Sequence, residues 1–195
     1  MGLAVGNITE VTLWGEKMLE NINAILICGE PNSGKTTLAN YIIHALLERE
    51  YKGVIIPFES YVKILAEKCF LWDGEKDEKG KKLLQGLKNI VVEYDENFWV
   101  NSVLEELDSY EKVTQKNVSF LVCDDWRFYN EYKVISERFN TYTVKIEPSF
   151  LGDKNNLSKV PFFYTYDFVV SNKSTLESLQ KDAIEIVNKI LGENK

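Results

Sequence analysis

The segment from Gly29 to Thr36, which reads GEPNSGKT, constrains the fold of this chain more than any other stretch. It fits the pattern G-x-x-x-x-G-K-[ST], the P-loop, in which the backbone N–H groups of a glycine-rich turn cradle phosphate oxygens. The flanking segments agree with the pattern. Residues 24–28 form a short apolar run typical of a buried strand, and residues 36–50 carry apolar side chains at helical spacing. A strand, a glycine-rich loop and a helix in that order predict a site for a nucleoside triphosphate.

The pattern assigns a chemical role to each residue that it specifies in the loop. Lys35 is expected to reach the β- and γ-phosphates of ATP, and the Thr36 hydroxyl is expected to ligate Mg²⁺. The following helix directs the positive end of its dipole to the same point. The predicted ATP-binding residues are Gly29, Asn32, Ser33, Gly34, Lys35, Thr36 and Thr37.

The rest of the chain alternates short apolar runs with segments of helical periodicity. Strands are predicted at residues 53–58, 118–123, 142–146 and 168–170. Helices are predicted at residues 60–70, 81–92, 98–107, 130–139 and, from a capping box of Ser174 with Glu177, to about Leu191. This alternation predicts an α/β fold: a five-stranded, mainly parallel sheet with helices on both faces.

The domain is expected to span residues 23–195 and to be preceded by an amphipathic helix in residues 1–22. The apolar stripe of that helix would pack on the domain or form the contact of a homodimer. Polar segments near residues 72–82 and 148–163 are expected to act as lids over the site.

Ligands of parallel α/β sheets bind at the carboxyl ends of the strands. Besides the P-loop, the residues predicted at those ends are Phe58, Glu59, Asp124 and Asp125. An apolar strand that ends in aspartate is the Walker B arrangement, in which the carboxylate holds Mg²⁺ opposite the P-loop. Side chains alternate across a strand, so only one of the two aspartates should face the phosphates.

Composition excludes several classes of partner. The 195-residue chain has a net charge of −7, whereas nucleic-acid-binding domains usually present a basic face. No apolar run approaches the length of a membrane span. The three cysteines are far apart and form no C-x-x-C pair, which indicates a reducing compartment, so a cytoplasmic protein is expected.

Six further segments occur in an order that resembles the deoxynucleoside monophosphate kinases of bacteriophages and their bacterial relatives. The segments are residues 58–66 (FESYVKILA), 72–74 (WDG), 80–85 (GKKLLQ), 98–101 (FWVN), 125–131 (DWRFYNE) and 175–179 (TLESL). The most specific match is the fifth, against D-x-R-F-x-N-E. The resemblance covers about residues 24 to 191.

The resemblance implies a nucleoside monophosphate kinase-like P-loop fold that transfers the γ-phosphoryl group of ATP to a (deoxy)nucleoside monophosphate. Lys35, Asp125 and Arg127 would be the catalytic residues: Lys35 would stabilise the transferring group, Asp125 would hold Mg²⁺ together with Thr36, and Arg127 would grip phosphate. The implied acceptor-binding residues are Lys63, Lys81, Gln85, Trp99 and Arg127.

The chain departs from the family pattern in its arginines. Lys81 stands where the family has arginine, Glu147 occupies another arginine position, and no arginine lies between Gln85 and Phe98. One arginine at a phosphoryl-transfer site is worth ~10³-fold or more in rate. Three interpretations therefore stay open: a nucleoside monophosphate kinase, an NTPase or kinase with another acceptor, and a catalytically weakened nucleotide-binding protein.

Overall fold

Five parallel strands form the central layer of the protein. A computed structural model describes residues 22–75, 77–147, 165–172 and 175–193. The strands are β1 (Asn23–Gly29), β2 (Gly53–Ile55), β3 (Phe120–Cys123), β4 (Asn140–Glu147) and β5 (Phe168–Ser171). Their order in the sheet is β2-β3-β1-β4-β5, and every neighbouring pair is parallel. The predicted α/β P-loop fold is confirmed.

The helices cover both faces of this sheet. They are α1 (Lys35–Leu47), α2 (Ser60–Phe70), α3 (Glu78–Tyr94), α4 (Phe98–Thr114), α5 (Tyr129–Ser136) and α6 (Leu176–Leu191). Alternate residues of β1 divide the core in two, as expected from the two-residue period of a strand. Ile25 and Ile27 pack in a cluster with residues of α1 and α6. Ala24, Leu26 and Cys28 belong to a second cluster with residues of α2 to α5.

Several element boundaries differ from those predicted. Strand β2 ends at Ile55 rather than at residue 58, because Pro57 has no N–H to donate to a sheet ladder. Helix α3 begins at Glu78, where Asp77 accepts a hydrogen bond from the Gly80 N–H at 2.6 Å. The latter part of the predicted lid at 72–82 is therefore a capped helix. The side-chain cap of α6 is Thr175, which accepts from the Ser178 N–H at 3.2 Å, and Ser174 lies outside the described residues.

Two predicted features cannot be placed on this fold. Residues 1–21 and 148–164 lie outside the described ranges, so the amphipathic N-terminal helix and the second lid stay predictions. Among the residues that are described, no helix is both long and apolar enough to cross a bilayer.

Candidate active site

The P-loop joins the end of β1 to the start of α1, and its backbone requires glycine at two points. Gly34 has a φ of 99°, in the left-handed region that glycine favours. A Cβ at Gly29 would lie 2.5 Å from the carbonyl oxygen of Ile146 in the neighbouring strand β4. Asn32 also has a positive φ, of 60°, which asparagine tolerates better than most residues. The loop is therefore a concave turn pressed against the sheet.

Lys35 lies across this turn. Its ammonium donates to the carbonyl oxygens of Gly29 at 3.0 Å and Glu30 at 2.8 Å. Burial lowers the pKa of Lys35, and the nearby Arg127 guanidinium lowers it further, while Asp124 is the strongest of the acids that oppose the shift. The ammonium is thus held beside the loop, within electrostatic range of a second cation.

The carboxylate that reaches the P-loop is Asp124. The Thr36 hydroxyl donates to Asp124 Oδ2 at 2.5 Å, across 88 positions of sequence. Asp125, which the sequence analysis placed at this point, instead accepts the backbone N–H groups of Phe58 at 2.8 Å and Glu59 at 2.9 Å. The contacts of the two aspartates therefore differ from the prediction. Consecutive side chains at the end of a strand point to opposite faces of the sheet, so Asp124 and Asp125 cannot both face the P-loop.

Asp125 consequently joins the end of β3 to the segment that follows β2. Burial raises the pKa of Asp125 to about 6, the Glu59 carboxylate adds to the rise, and the two backbone N–H groups oppose it. A carboxylate whose two oxygens are both engaged by backbone is suited to fixing the loop at residues 57–59.

The P-loop residues fit a nucleotide phosphate with a divalent cation. The Ser33 hydroxyl is buried and has no hydrogen-bond partner within the described part of the chain. Such an orphaned polar group in a phosphate cradle indicates a ligand that the cradle is built to hold. The Thr36 hydroxyl and the Asp124 carboxylate supply the hard oxygen donors that Mg²⁺ prefers.

A cluster of charged side chains lies at the carboxyl ends of β2 and β3. Glu59 Oε1 accepts from Arg127 Nη2 at 2.9 Å and from the ammonium of Lys88 on α3. Burial alone would raise the pKa of Glu59, but the cations outweigh it, Lys88 most strongly and then Arg127 and Lys63, so the pKa is lowered. We call Glu59, Lys63, Lys88 and Arg127 the ion cluster.

Arg127 is held in place by its backbone. Glu131 Oε2 accepts the N–H groups of both Arg127 and Phe128, each at 2.9 Å. The Glu131 side chain is buried, which raises its pKa to about 8 against the opposing effect of these two donors. The guanidinium itself pairs with Glu59 and not with Glu131, so the contact to Glu131 orients the loop and leaves the cationic group in the ion cluster.

A cleft of about 250 Å³ lies between α3, α4 and α5, and one of its walls is Phe128, the residue after Arg127. Its lining residues are Val92, Glu96, Trp99, Phe128, Tyr129, Asn130 and Glu131. Trp99 is 94% buried, and its indole N–H has no hydrogen-bond partner among the described residues. Aromatic walls with a few polar groups are typical of sites that bind flat ring systems.

Of the other predicted acceptor residues, Lys63 belongs to the ion cluster, where it is half-buried and acts electrostatically on Glu59, whereas Lys81 and Gln85 are exposed. Lys81 is exposed and lies 3.8 Å from Glu78, and exposed Gln85 donates to Asn89 at 2.8 Å. Thr37, predicted as an ATP-binding residue, lies on the first turn of α1 directly after Thr36.

Sequence reasoning placed Glu59 at the strand ends that form the site but gave it no role, and it missed Lys88. A signal existed for Lys88, which lies four positions after Leu84, because residues at that spacing share one face of a helix. Leu84 is buried, and Lys88 is half-buried on the same side of α3. The signal is not specific, because Lys81, three positions before Leu84, shares that side and is exposed.

Comparison with known proteins gives one family match. A family model described as Novel STAND NTPase 3 matches residues 14–133, which run through β1 to most of α5. No curated protein sequence matches significantly. Similar solved structures include an APS kinase from Mycobacterium tuberculosis, with 11% identity, TM-score 0.45 and coverage of 86% of this chain and 98% of that one. A gluconokinase from Sinorhizobium meliloti has 10% identity, TM-score 0.47 and coverage of 90% and 99%.

Proposed function

The chain belongs to the Novel STAND NTPase 3 family, and within it we propose an enzyme that transfers the γ-phosphoryl group of ATP to a (deoxy)nucleoside monophosphate, giving the diphosphate. The observation that supports a second phosphorylated substrate is the ion cluster at the same sheet edge as the P-loop. Arg127 acts electrostatically on Lys35 and also contacts Glu59. Cations beyond those of the P-loop are what a transfer site needs to hold an acceptor phosphate.

Each residue then has a definite task. The P-loop N–H groups bind the phosphates of ATP, and Lys35 neutralises charge on the group in transfer. Thr36 and Asp124 would hold Mg²⁺, which would supply neutralisation of the phosphate charge of ATP. Arg127 binds the acceptor phosphate and orients it towards Lys35. These steps require positioning and charge neutralisation, with no covalent enzyme intermediate.

The cleft supports a nucleotide as the acceptor. Phe128 lies next to Arg127 in sequence, and Val92 lies one helical turn beyond Lys88 on α3. A ligand with its phosphate in the ion cluster could therefore place a flat ring against Trp99 and Phe128. This arrangement favours a nucleoside monophosphate over water as the acceptor of the phosphoryl group.

Hydrolysis of ATP is the second candidate, because the family description names an NTPase. One assay separates the two functions: ADP release measured with and without each nucleoside and deoxynucleoside monophosphate. The kinase proposal expects release to rise at least ~10-fold with one class of acceptor. An acceptor-independent rate that Lys35→Ala abolishes would establish hydrolysis instead.

A further inference from the structure

A single carboxylate oxygen in the ion cluster is shared by two cations. Glu59 Oε1 contacts both the Lys88 ammonium and Arg127 Nη2. The side chains of Glu59 and Lys88 are only 19% and 21% exposed, so water screens this contact poorly. The Glu59 carboxylate therefore lies between these two cations and neutralises part of their charge.

The cluster carries more positive than negative charge. Lys63, Lys88 and Arg127 are the cations that act on Glu59, and Asp125, which accepts the Glu59 N–H at 2.9 Å, is a second acid beside them. With both acids ionised the sum is three positive charges against two negative ones. A dianionic phosphate that replaced the Glu59 carboxylate would be held by the same cations with greater attraction, since Coulomb energy scales with the charge of the ligand.

The backbone of Glu59 is held independently of its side chain. The Glu59 N–H donates to Asp125 Oδ2 at 2.9 Å, and Glu59 immediately precedes helix α2. Release of the carboxylate from Lys88 and Arg127 therefore requires only rotation about side-chain bonds, between staggered rotamers. The site can exchange one anion for another without rebuilding the loop.

From these contacts we propose that Lys88 and Arg127 together bind the acceptor's phosphate monoester, and that Glu59 is a resident counter-ion which this phosphate displaces. The inference rests on the proposed function for the identity of the acceptor. It adds Lys88 as a substrate-binding residue and makes Glu59 a competitor that sets acceptor affinity. A free phosphate ion offers the same chemistry and serves as a probe that requires no turnover.

The test is calorimetric titration of the full chain with orthophosphate, after the P-loop has been saturated with Mg²⁺ and a non-hydrolysable ATP analogue. Glu59→Gln removes the competing charge and nearly keeps the shape. We expect it to bind orthophosphate ~10-fold more tightly than the wild type. Lys88→Gln should bind it at least ~10-fold more weakly. The matched controls are Glu67→Gln on α2 and Lys79→Gln on α3, both exposed, which should stay within ~2-fold of the wild type.

Unchanged or weaker phosphate binding in Glu59→Gln would overturn the inference, because it would show that Glu59 merely positions the two cations or ties α2 to α3. If that variant does not fold, Lys88→Gln decides alone, and unchanged binding there overturns the inference. The failure of the proposed function has a different signature. In that case orthophosphate responds as expected in both variants, yet no nucleoside monophosphate is phosphorylated. Conversely, if the chain phosphorylates a nucleoside monophosphate but Glu59→Gln leaves the KM for that acceptor unchanged, the inference fails and the proposed function stands.

Discussion

Substitution of the two adjacent aspartates by asparagine should separate a metal-binding role from a structural one. Asp124 contacts the P-loop hydroxyl of Thr36, whereas Asp125 accepts two backbone N–H groups from the segment after β2. Both substitutions remove one negative charge and almost no volume. Each variant therefore serves as the matched control of the other.

Asp124→Asn keeps an oxygen that can accept from Thr36 but removes the charge that would attract Mg²⁺. We expect Mg²⁺-dependent ATP turnover to fall at least ~100-fold, which corresponds to about 2.7 kcal/mol of transition-state stabilisation. The melting temperature should change little, because the Thr36 contact can persist.

Asp125→Asn should have the opposite profile. Its new amide N–H would face a backbone donor, so one hydrogen bond to a charged group, worth about 1.5–3 kcal/mol, is lost. Burial already raises the pKa of Asp125 to about 6, so relief of an unfavourable charge offsets part of this loss. A net destabilisation of about 1–2 kcal/mol follows, or a melting temperature lower by about 2–8 °C in a chain of this size.

The assays are a coupled ADP-release measurement over a range of Mg²⁺ concentrations and thermal unfolding of the same samples. Loss of turnover confined to Asp125→Asn, with an unchanged melting temperature, would refute the assignment of Asp124 to the metal. Equal losses of turnover in both variants at full stability would refute it as well.

Three further predictions follow from the site. Arg127→Lys keeps the charge but loses the planar, two-point hydrogen bonding of the guanidinium. Acceptor-dependent transfer should therefore fall at least ~10-fold, while the affinity for ATP without acceptor stays unchanged. An unchanged transfer rate would show that Arg127 does not bind the acceptor. Gly34→Ala should abolish ATP binding measured by calorimetry. The φ of 99° is unfavourable for a residue with a side chain, and the new Cβ would lie 2.9 Å from Asn172 Nδ2. Retained affinity for ATP would contradict the described loop conformation. Burial raises the pKa of Glu131 to about 8, so the folded state holds a proton that the unfolded chain has lost. Stability should therefore decline by ~1 kcal/mol per pH unit as pH rises from about 7 to 8, a range in which Asp125, with a pKa of about 6, is already mostly ionised. Urea unfolding of Glu131→Gln over that range should show a flatter slope, and an equal slope in both proteins would contradict the raised pKa.

The sequence was sufficient for the P-loop and for the alternation of strands and helices. Both depend on local patterns: glycine spacing in the loop, apolar runs in strands such as β3, and helical spacing in α1. The ends of elements were less certain where a single residue decides them, as Pro57 does for β2 and Asp77 does for α3.

The choice of carboxylate could not be made from the sequence. Whether Asp124 or Asp125 faces the P-loop depends on the register of β3 against β1, in which Cys123 lies opposite Leu26, and that pairing joins segments far apart in sequence. The ion cluster is non-local in the same way. Glu59, Lys88 and Arg127 come from three separate elements, and their contact depends on how α3 is rotated against α2. The motif resemblance pointed to Lys81, which is exposed, and Lys88 was found only in the folded protein.

The most direct test of the central proposal follows the fate of the γ-phosphoryl group. The purified chain is incubated with γ-labelled ATP, Mg²⁺ and a panel of nucleoside and deoxynucleoside monophosphates, and the labelled products are separated by chromatography. The proposal predicts label in a nucleoside diphosphate, formed only with one class of acceptor and lost in Lys35→Ala. Label found solely in inorganic phosphate, at the same rate with and without every acceptor, would contradict it.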